Sequence, residues 1–150
     1  MHITRYTDYS LRVLMYLAVK GNELSTIRDI AESYSISKNH LMKVVQELSA
    51  RGYIEAIRGK NGGIRLNKTP ESINVGKLIR TLEKDQPVVE CSGADNHCVI
   101  TPTCKLKSVF SEALESFFQT LDNYSLADLV PLEAEIGFKQ LLGIRVEYHE

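Results

Sequence analysis

Apolar residues are grouped along this chain in runs of different period, and each run marks an element. From Tyr9 to Val19 almost every position is apolar, the pattern of a helix buried on most sides, beginning near Thr7 and stopping at Gly21-Asn22. The stretch LSTIRDIAESYSISKNHLMKVVQELSARG then divides into two short helical patterns. Ser25 or Thr26 can cap the first, with Ile27, Ile30 and Ala31 at helical spacing. Ser37 can cap the second, where Leu41, Val44, Val45 and Leu48 follow the i, i+3, i+4, i+7 rule up to a terminal Gly52. YIEAI (53–57) alternates as a strand, GIRLN (63–67) can pair with it, and Asn61-Gly62 between them is a strong turn signal. Val75, Leu78, Ile79 and Leu82 form one face of a short helix that Pro87 is expected to end. After a Gly/Asp/Asn/Pro-rich loop, Leu106, Val109, Phe110, Ala113, Leu114, Phe117, Phe118 and Leu121 recur as the stripe of a long amphipathic helix.

These elements predict a mainly α fold with one small β-hairpin. Two short helices joined across residues 33–36 form a helix-turn-helix, and a hairpin directly after it makes a winged helix. With the core stripe of the second helix fixed, Asn39, Lys43 and Gln46 lie on its opposite face, flanked by His40 and Met42, with Lys38 at its start. Polar residues near the N-terminus of such a helix reach base edges and phosphates in a major groove. The hairpin tip gathers Arg58, Lys60 and Arg65 around Asn61 and Gly62, suited to phosphates or a minor groove. Taken alone, the helix could be a merely solvated face and the hairpin a surface loop kept soluble by charge. The combination is more specific and points to double-stranded DNA. The long helix carries three phenylalanines outside the winged helix, and a second copy of the chain is the obvious cover for them. Folding back on its own subunit is the alternative. Two-fold dimers of this kind meet half-sites ~34–36 Å apart.

The overall composition is ordinary, with 150 residues, 43% hydrophobic and 25% charged. The net charge of −1 hides an asymmetry: residues 1–70 hold eleven Lys/Arg against six Asp/Glu, and residues 71–150 hold seven against thirteen. A basic front half favours a polyanion partner. No run approaches the ~20 apolar residues of a membrane span, and no secretory leader is evident, so a reducing cytoplasm is the expected compartment.

That compartment sharpens the question of Cys91, Cys98 and Cys104, the only cysteines, with six residues between the first pair and five between the second. Structural zinc favours paired CxxC or CxxxC knuckles, and none is present; His97 could complete a set but is adjacent to Cys98. Plain thiols and a thiol redox switch stay open. A thiol-dependent enzyme needs a base and an orienting group beside the nucleophile, and neither a CxxC motif nor a Cys/His/Asp arrangement appears, so a non-enzyme is expected. Iron–sulfur clusters accept thiolates on flexible loops at variable spacing, and three cysteines leave one iron to a weaker ligand.

Four segments carry a resemblance: TRYTDYSLRVLMYLA at the front, SKNHLMKVVQELSARGYIEAIRGKNGGIRL through the helix-turn-helix and wing, the three cysteines with VITPT and KLK, and LDNYSLADLV after the long helix. Over residues 1 to about 130 the chain resembles the NsrR repressors, nitric-oxide-sensing members of the Rrf-type winged-helix family that also contains IscR. The resemblance implies a homodimeric repressor that binds operators with a [4Fe–4S] cluster intact, or alternatively a [2Fe–2S] cluster. It releases them when nitric oxide attacks the cluster, freeing nitric-oxide detoxification genes. Cys91, Cys98 and Cys104 are the implied thiolate ligands, with Asp8 of the partner subunit as the fourth. Read without the resemblance, Asp8 is a carboxylate favouring a helix N-terminus. The six-residue spacing of CSGADNHC exceeds the four or five usual in that family, and the histidine that IscR carries after its third cysteine has no counterpart at Lys105-Leu106-Lys107. An iron- or redox-responsive regulator of the same family is the nearest alternative.

The expected organisation is a DNA-binding winged helix at 1–70, a short helix and linker at 71–90, the cluster loop at 91–104, a dimerisation helix with its following segment at 105–130, and a C-terminal tail at 131–150 whose role the sequence does not show.

Overall fold

The Thr4 hydroxyl accepts the Thr7 amide hydrogen, so the first helix, α1, starts at Arg5 rather than near Thr7 and runs to Lys20. Its opening turn is largely polar, which is why the apolar run alone placed the start late. The computed structural model describes residues 2–147; Met1 and residues 148–150, the last three of the C-terminal tail, lie outside the described residues. Val13, Leu14 and Leu17 of α1 are fully buried and form the centre of the core.

Thr26, not Ser25, caps α2 (Ile27–Tyr34), in a capping box with Asp29. Ser35 turns the chain in a left-handed conformation, and Ser37 caps α3 (Lys38–Ala50). Leu41, Val44, Val45 and Leu48 pack α3 against α1 and α2 as their spacing requires. Gly52, at φ +84°, then swings the chain into β1 (Ile54–Ile57), a conformation most other residues would occupy under strain. β1 pairs antiparallel with β2 (Gly63–Leu66), Ile54 opposite Leu66 and Ile57 opposite Gly63. A further pairing was not legible in the sequence. Ser25 and Ile64 exchange two backbone hydrogen bonds of 2.9 and 2.8 Å, which fasten the hairpin to the segment before α2.

Asn74 caps α4 (Val75–Leu82). Pro87 does not end this helix. The chain leaves it at Glu83, whose carboxylate accepts hydrogen bonds from the Thr4 amide at 2.8 Å and the Thr4 hydroxyl at 2.9 Å, tying the end of α4 to the start of α1. The long helix α5 (Leu106–Leu121) follows the cysteine segment, and α6 (Leu126–Leu129) returns to the core, with Leu126 donating to the Ile73 carbonyl at 2.8 Å. The C-terminal stretch folds into α7 (Glu135–Leu142), which packs on α1. Leu142 is buried there, and its carbonyl accepts a 2.7 Å hydrogen bond from Ser33 of α2.

Candidate nucleic-acid interface and cysteine loop

The core stripe of α3 turns the other side of that helix to the surface. Lys38, Asn39, Lys43 and Gln46 are exposed there, as the spacing predicts. His40 is half-buried, its ring edge-on to Tyr9 of α1 with centroids 4.9 Å apart, so it rests on α1 instead of projecting freely. On the wing, Arg58, Lys60 and Asn61 are exposed at the tip. A Cβ at Gly62 would collide with the Ile57 carbonyl, so the tip closes more tightly than any other residue there would allow. Arg65 differs from its neighbours: it stands on β2 opposite Glu55 and is paired with it at 3.0 Å, away from the tip. Lys68, which the sequence reading passed over, lies over the Tyr53 ring at 4.7 Å beside the base of the hairpin. Only its charge marked it beforehand.

The three cysteines lie on the segment 83–105 that joins α4 to α5. Cys91 and Cys104 are half-buried, Cys98 is exposed, and none is in a disulfide. Part of this segment is organised by its own polar side chains. Asn96 accepts the Cys98 amide hydrogen at 3.0 Å and donates to the Thr101 hydroxyl, which in turn donates to the Cys98 carbonyl at 2.9 Å. Cys104 Sγ accepts the Leu106 amide hydrogen at 3.3 Å, at the head of α5, where no side chain caps the helix. His97 pairs with Asp95 at 2.8 Å in solvent. Between this loop and Lys107, Phe110 and Leu114 of α5 lies a groove of about 820 Å³.

Three unpaired thiols on one loop fit an iron–sulfur group in donor type and fall one short of the four ligands it takes. Among the described residues the loop does not gather them: no three His, Cys, Asp or Glu side chains converge where a metal ion could be held. Asp8 is half-exposed in the first turn of α1, and Arg12 engages both of its carboxylate oxygens, at 3.2 and 3.0 Å. The Arg12 guanidinium also lies 5.6 Å from the centre of the Tyr9 ring and 5.8 Å from that of Tyr34, whose hydroxyl donates to the Arg12 carbonyl at 2.9 Å. Burial pushes the Tyr34 phenol up to about 12, against the opposing effect of the Arg12 charge. A continuous set of contacts therefore runs from Asp8 through Arg12 and Tyr9 to His40 in the first turn of α3.

No residue of α5 is buried, and Leu106 and Val109 of its apolar stripe are exposed outright. A polar clamp ties α5 to α4. Arg80 of α4 makes two hydrogen bonds to Glu115 at 2.8 and 2.9 Å and two to Asp122 at 2.9 and 3.5 Å, with its guanidinium over the Phe118 ring. Those bonds hold the Arg80 pKa above its ordinary value and the Glu115 carboxyl below its own. The periodicity showed the stripe but gave no sign of this clamp.

Residues 3–131 match the family model Rrf2, described as an iron-dependent transcriptional regulator. The chain is 58% identical over 132 residues to the HTH-type transcriptional regulator NsrR of Bacillus licheniformis, covering 87% of this chain and 92% of that protein. To NsrR of Bacillus subtilis it is 54% identical over 138 residues, covering 91% and 94%. Among solved structures, CymR (YrzC), the global cysteine regulator of B. subtilis, superimposes with a TM-score of 0.69 at 27% identity, covering 86% of this chain and 95% of that one. No helix among the described residues is long and apolar enough to cross a membrane.

Proposed function

The chain belongs to the Rrf2 family of iron-dependent transcriptional regulators, and from that premise we propose that it is a cytoplasmic, homodimeric repressor whose hold on operator DNA is governed by an iron–sulfur cluster and relieved by nitric oxide. It is a regulator and not an enzyme, as its relatives are named. The observation that carries the proposal is the placement of all three thiols, unpaired, on the one segment between the winged helix and the exposed apolar stripe of α5.

Cys91, Cys98 and Cys104 would hold a [4Fe–4S] cluster, with Asp8 of the partner subunit as the fourth ligand. When bound, such a group supplies iron on which nitric oxide reacts. The remainder of the mechanism belongs to the protein. As a ligand through one oxygen, Asp8 would share that oxygen between iron and Arg12, so ligation would weaken at least one of the two bonds that hold the guanidinium. Arg12 lies against Tyr9, and Tyr9 against His40, so the choice made by Asp8 is passed to the start of α3. The two arrangements of Arg12 are the alternatives between which the signal shifts the population. Moving that population from 1:99 to 99:1 needs about 5.5 kcal/mol of differential binding. α5 of each subunit would cover the stripe of the other and fix the separation of the two α3 helices. Lys38, Asn39, Lys43 and Gln46 would enter the major groove, with Arg58, Lys60 and Asn61 at the adjacent backbone.

Replacing Cys91, Cys98 or Cys104 by alanine is expected to remove visible iron absorption and tight operator binding while leaving a folded dimer. Variants that keep both properties would take the cluster out of the mechanism. The family's iron-dependent description favours a second reading, in which iron supply or oxidation is the signal. Release by chelator or oxygen, with nitric oxide ineffective, would select it.

A further inference from the structure

α3 fills its side of the core with Leu41, Val44, Val45 and Leu48, none more than 5% exposed. Met42 takes no part in that packing and remains 41% exposed, the one large apolar side chain of the helix so placed. Asn39, one turn before it, and Gln46, one turn after, are both exposed. Residues three and four apart on a helix are neighbours, so Asn39, Met42, Lys43 and Gln46 make one strip. This strip is the DNA-facing surface of the reading above, on which the inference rests.

The members of the strip differ in what they can read. Asn39 and Gln46 carry amides that can donate and accept at a base edge, and Lys43 carries a charge for phosphate or guanine. Met42 has no hydrogen-bond donor and only a weakly accepting sulfur. It therefore cannot recognise a donor and acceptor pattern. The major groove presents one apolar feature on its base edges, the 5-methyl group of thymine. A flexible, polarisable thioether adapts to such a surface.

We propose that Met42 is a specificity-determining residue that packs on a thymine methyl group in each operator half-site, beside a base contacted by the Asn39 amide. Met42 thereby favours thymine over cytosine or uracil at that position through burial of a single methyl group, independently of the phosphate contacts that set overall affinity.

The test uses the full chain, purified anaerobically, and a duplex recovered by that protein from a randomised pool. Each thymine is replaced in turn by deoxyuridine, which removes the methyl group alone. At one thymine per half-site the native protein should lose about fourfold in affinity, the value of one buried methyl group. Met42→Ala should bind the thymine and uracil duplexes equally, Met42→Leu should keep the preference, and Lys43→Ala should weaken both duplexes alike. Indifference of the native protein to uracil at every position would overturn the proposal, as would an undiminished preference in Met42→Ala. Failure of the native protein to recover any duplex would instead defeat the DNA-binding reading itself, and Met42 with it.

Discussion

Gly76 and Gly137 both lie within helices, and the same substitution should move stability in opposite directions at the two sites. An alanine in a helix interior ordinarily gains about 1 kcal/mol over glycine. At Gly76, in the first turn of α4, a Cβ would stand 2.6 Å from the Asp122 amide nitrogen and 2.8 Å from its Cα, and would collide with the Asp122 carboxylate. Those backbone contacts are 0.8 and 0.6 Å inside the 3.4 Å at which ordinary contact begins. Asp122 has little freedom to retreat. Its carbonyl accepts from Asn74 at 2.7 Å, its carboxylate from Arg80, and Val75 donates to the Tyr124 carbonyl at 2.9 Å. Overpacking costs about 1–3 kcal/mol, and loss of the Asn74 hydrogen bond adds about 1 kcal/mol. After subtracting the helical gain of about 1 kcal/mol, Gly76→Ala should destabilise by about 1–3 kcal/mol. For a chain of this size that is a fall in Tm of about 3–10 °C. At Gly137 nothing lies within 4 Å, so Gly137→Ala should gain up to about 1 kcal/mol. Thermal and urea unfolding followed by circular dichroism, at one fixed protein concentration, measure both. A Gly76→Ala protein as stable as the native one would refute the close approach of α4 to the end of α5, and with it the geometry that Arg80 is argued to hold.

Other parts of the structure yield further expectations. Leu142→Ala should cost about 2–5 kcal/mol if α7 is docked as described, since it removes a buried leucine; a loss near zero in urea unfolding would show that α7 adds nothing to the core. The folded protein favours the neutral Tyr34 phenol, so this contribution is complete below the ordinary phenol value near 10 and is lost as pH rises toward about 12. Tyr34→Phe should flatten that alkaline decline, and an unchanged pH profile would contradict the burial argument. Phe117→Asp places a charge in the apolar stripe of α5 and should yield monomer by sedimentation velocity, whereas an intact dimer would place the subunit contact elsewhere.

The parts of the fold that the sequence revealed are those in which a periodic apolar face meets a local cap. Leu41, Val44, Val45 and Leu48 after Ser37 specify α3, and Asn61-Gly62 between alternating residues specifies the hairpin, because both signals are complete within a few neighbours. What was not legible depends on partners distant in the chain. Thr4 is matched by Glu83, Ser25 by Ile64, Ser33 by Leu142, and Arg80 by Glu115 and Asp122. The position of Arg65 illustrates the same limit. Counted as a charge it belongs with Arg58 and Lys60, but the strand register sets it opposite Glu55 and draws it away from the tip. The candidate cluster loop divides in the same way. Its thiols are evident from composition, and Asp8, Tyr9 and Arg12 are helical neighbours three and four apart, whereas Tyr9 against His40 and Arg12 against Tyr34 required the packing of α1 on α2 and α3.

The proposed coupling between the cysteine loop and DNA binding through α3 is tested most directly by one titration. Native protein purified without oxygen is mixed with a fluorescent operator duplex, and nitric oxide is added while iron–sulfur absorption and duplex anisotropy are recorded in the same cuvette. About four iron and four sulfide per subunit are expected at the outset, with a loss of absorption that tracks release of the duplex over the same additions. Protein that carries no iron, binds the duplex tightly and keeps it throughout the titration would rule that coupling out.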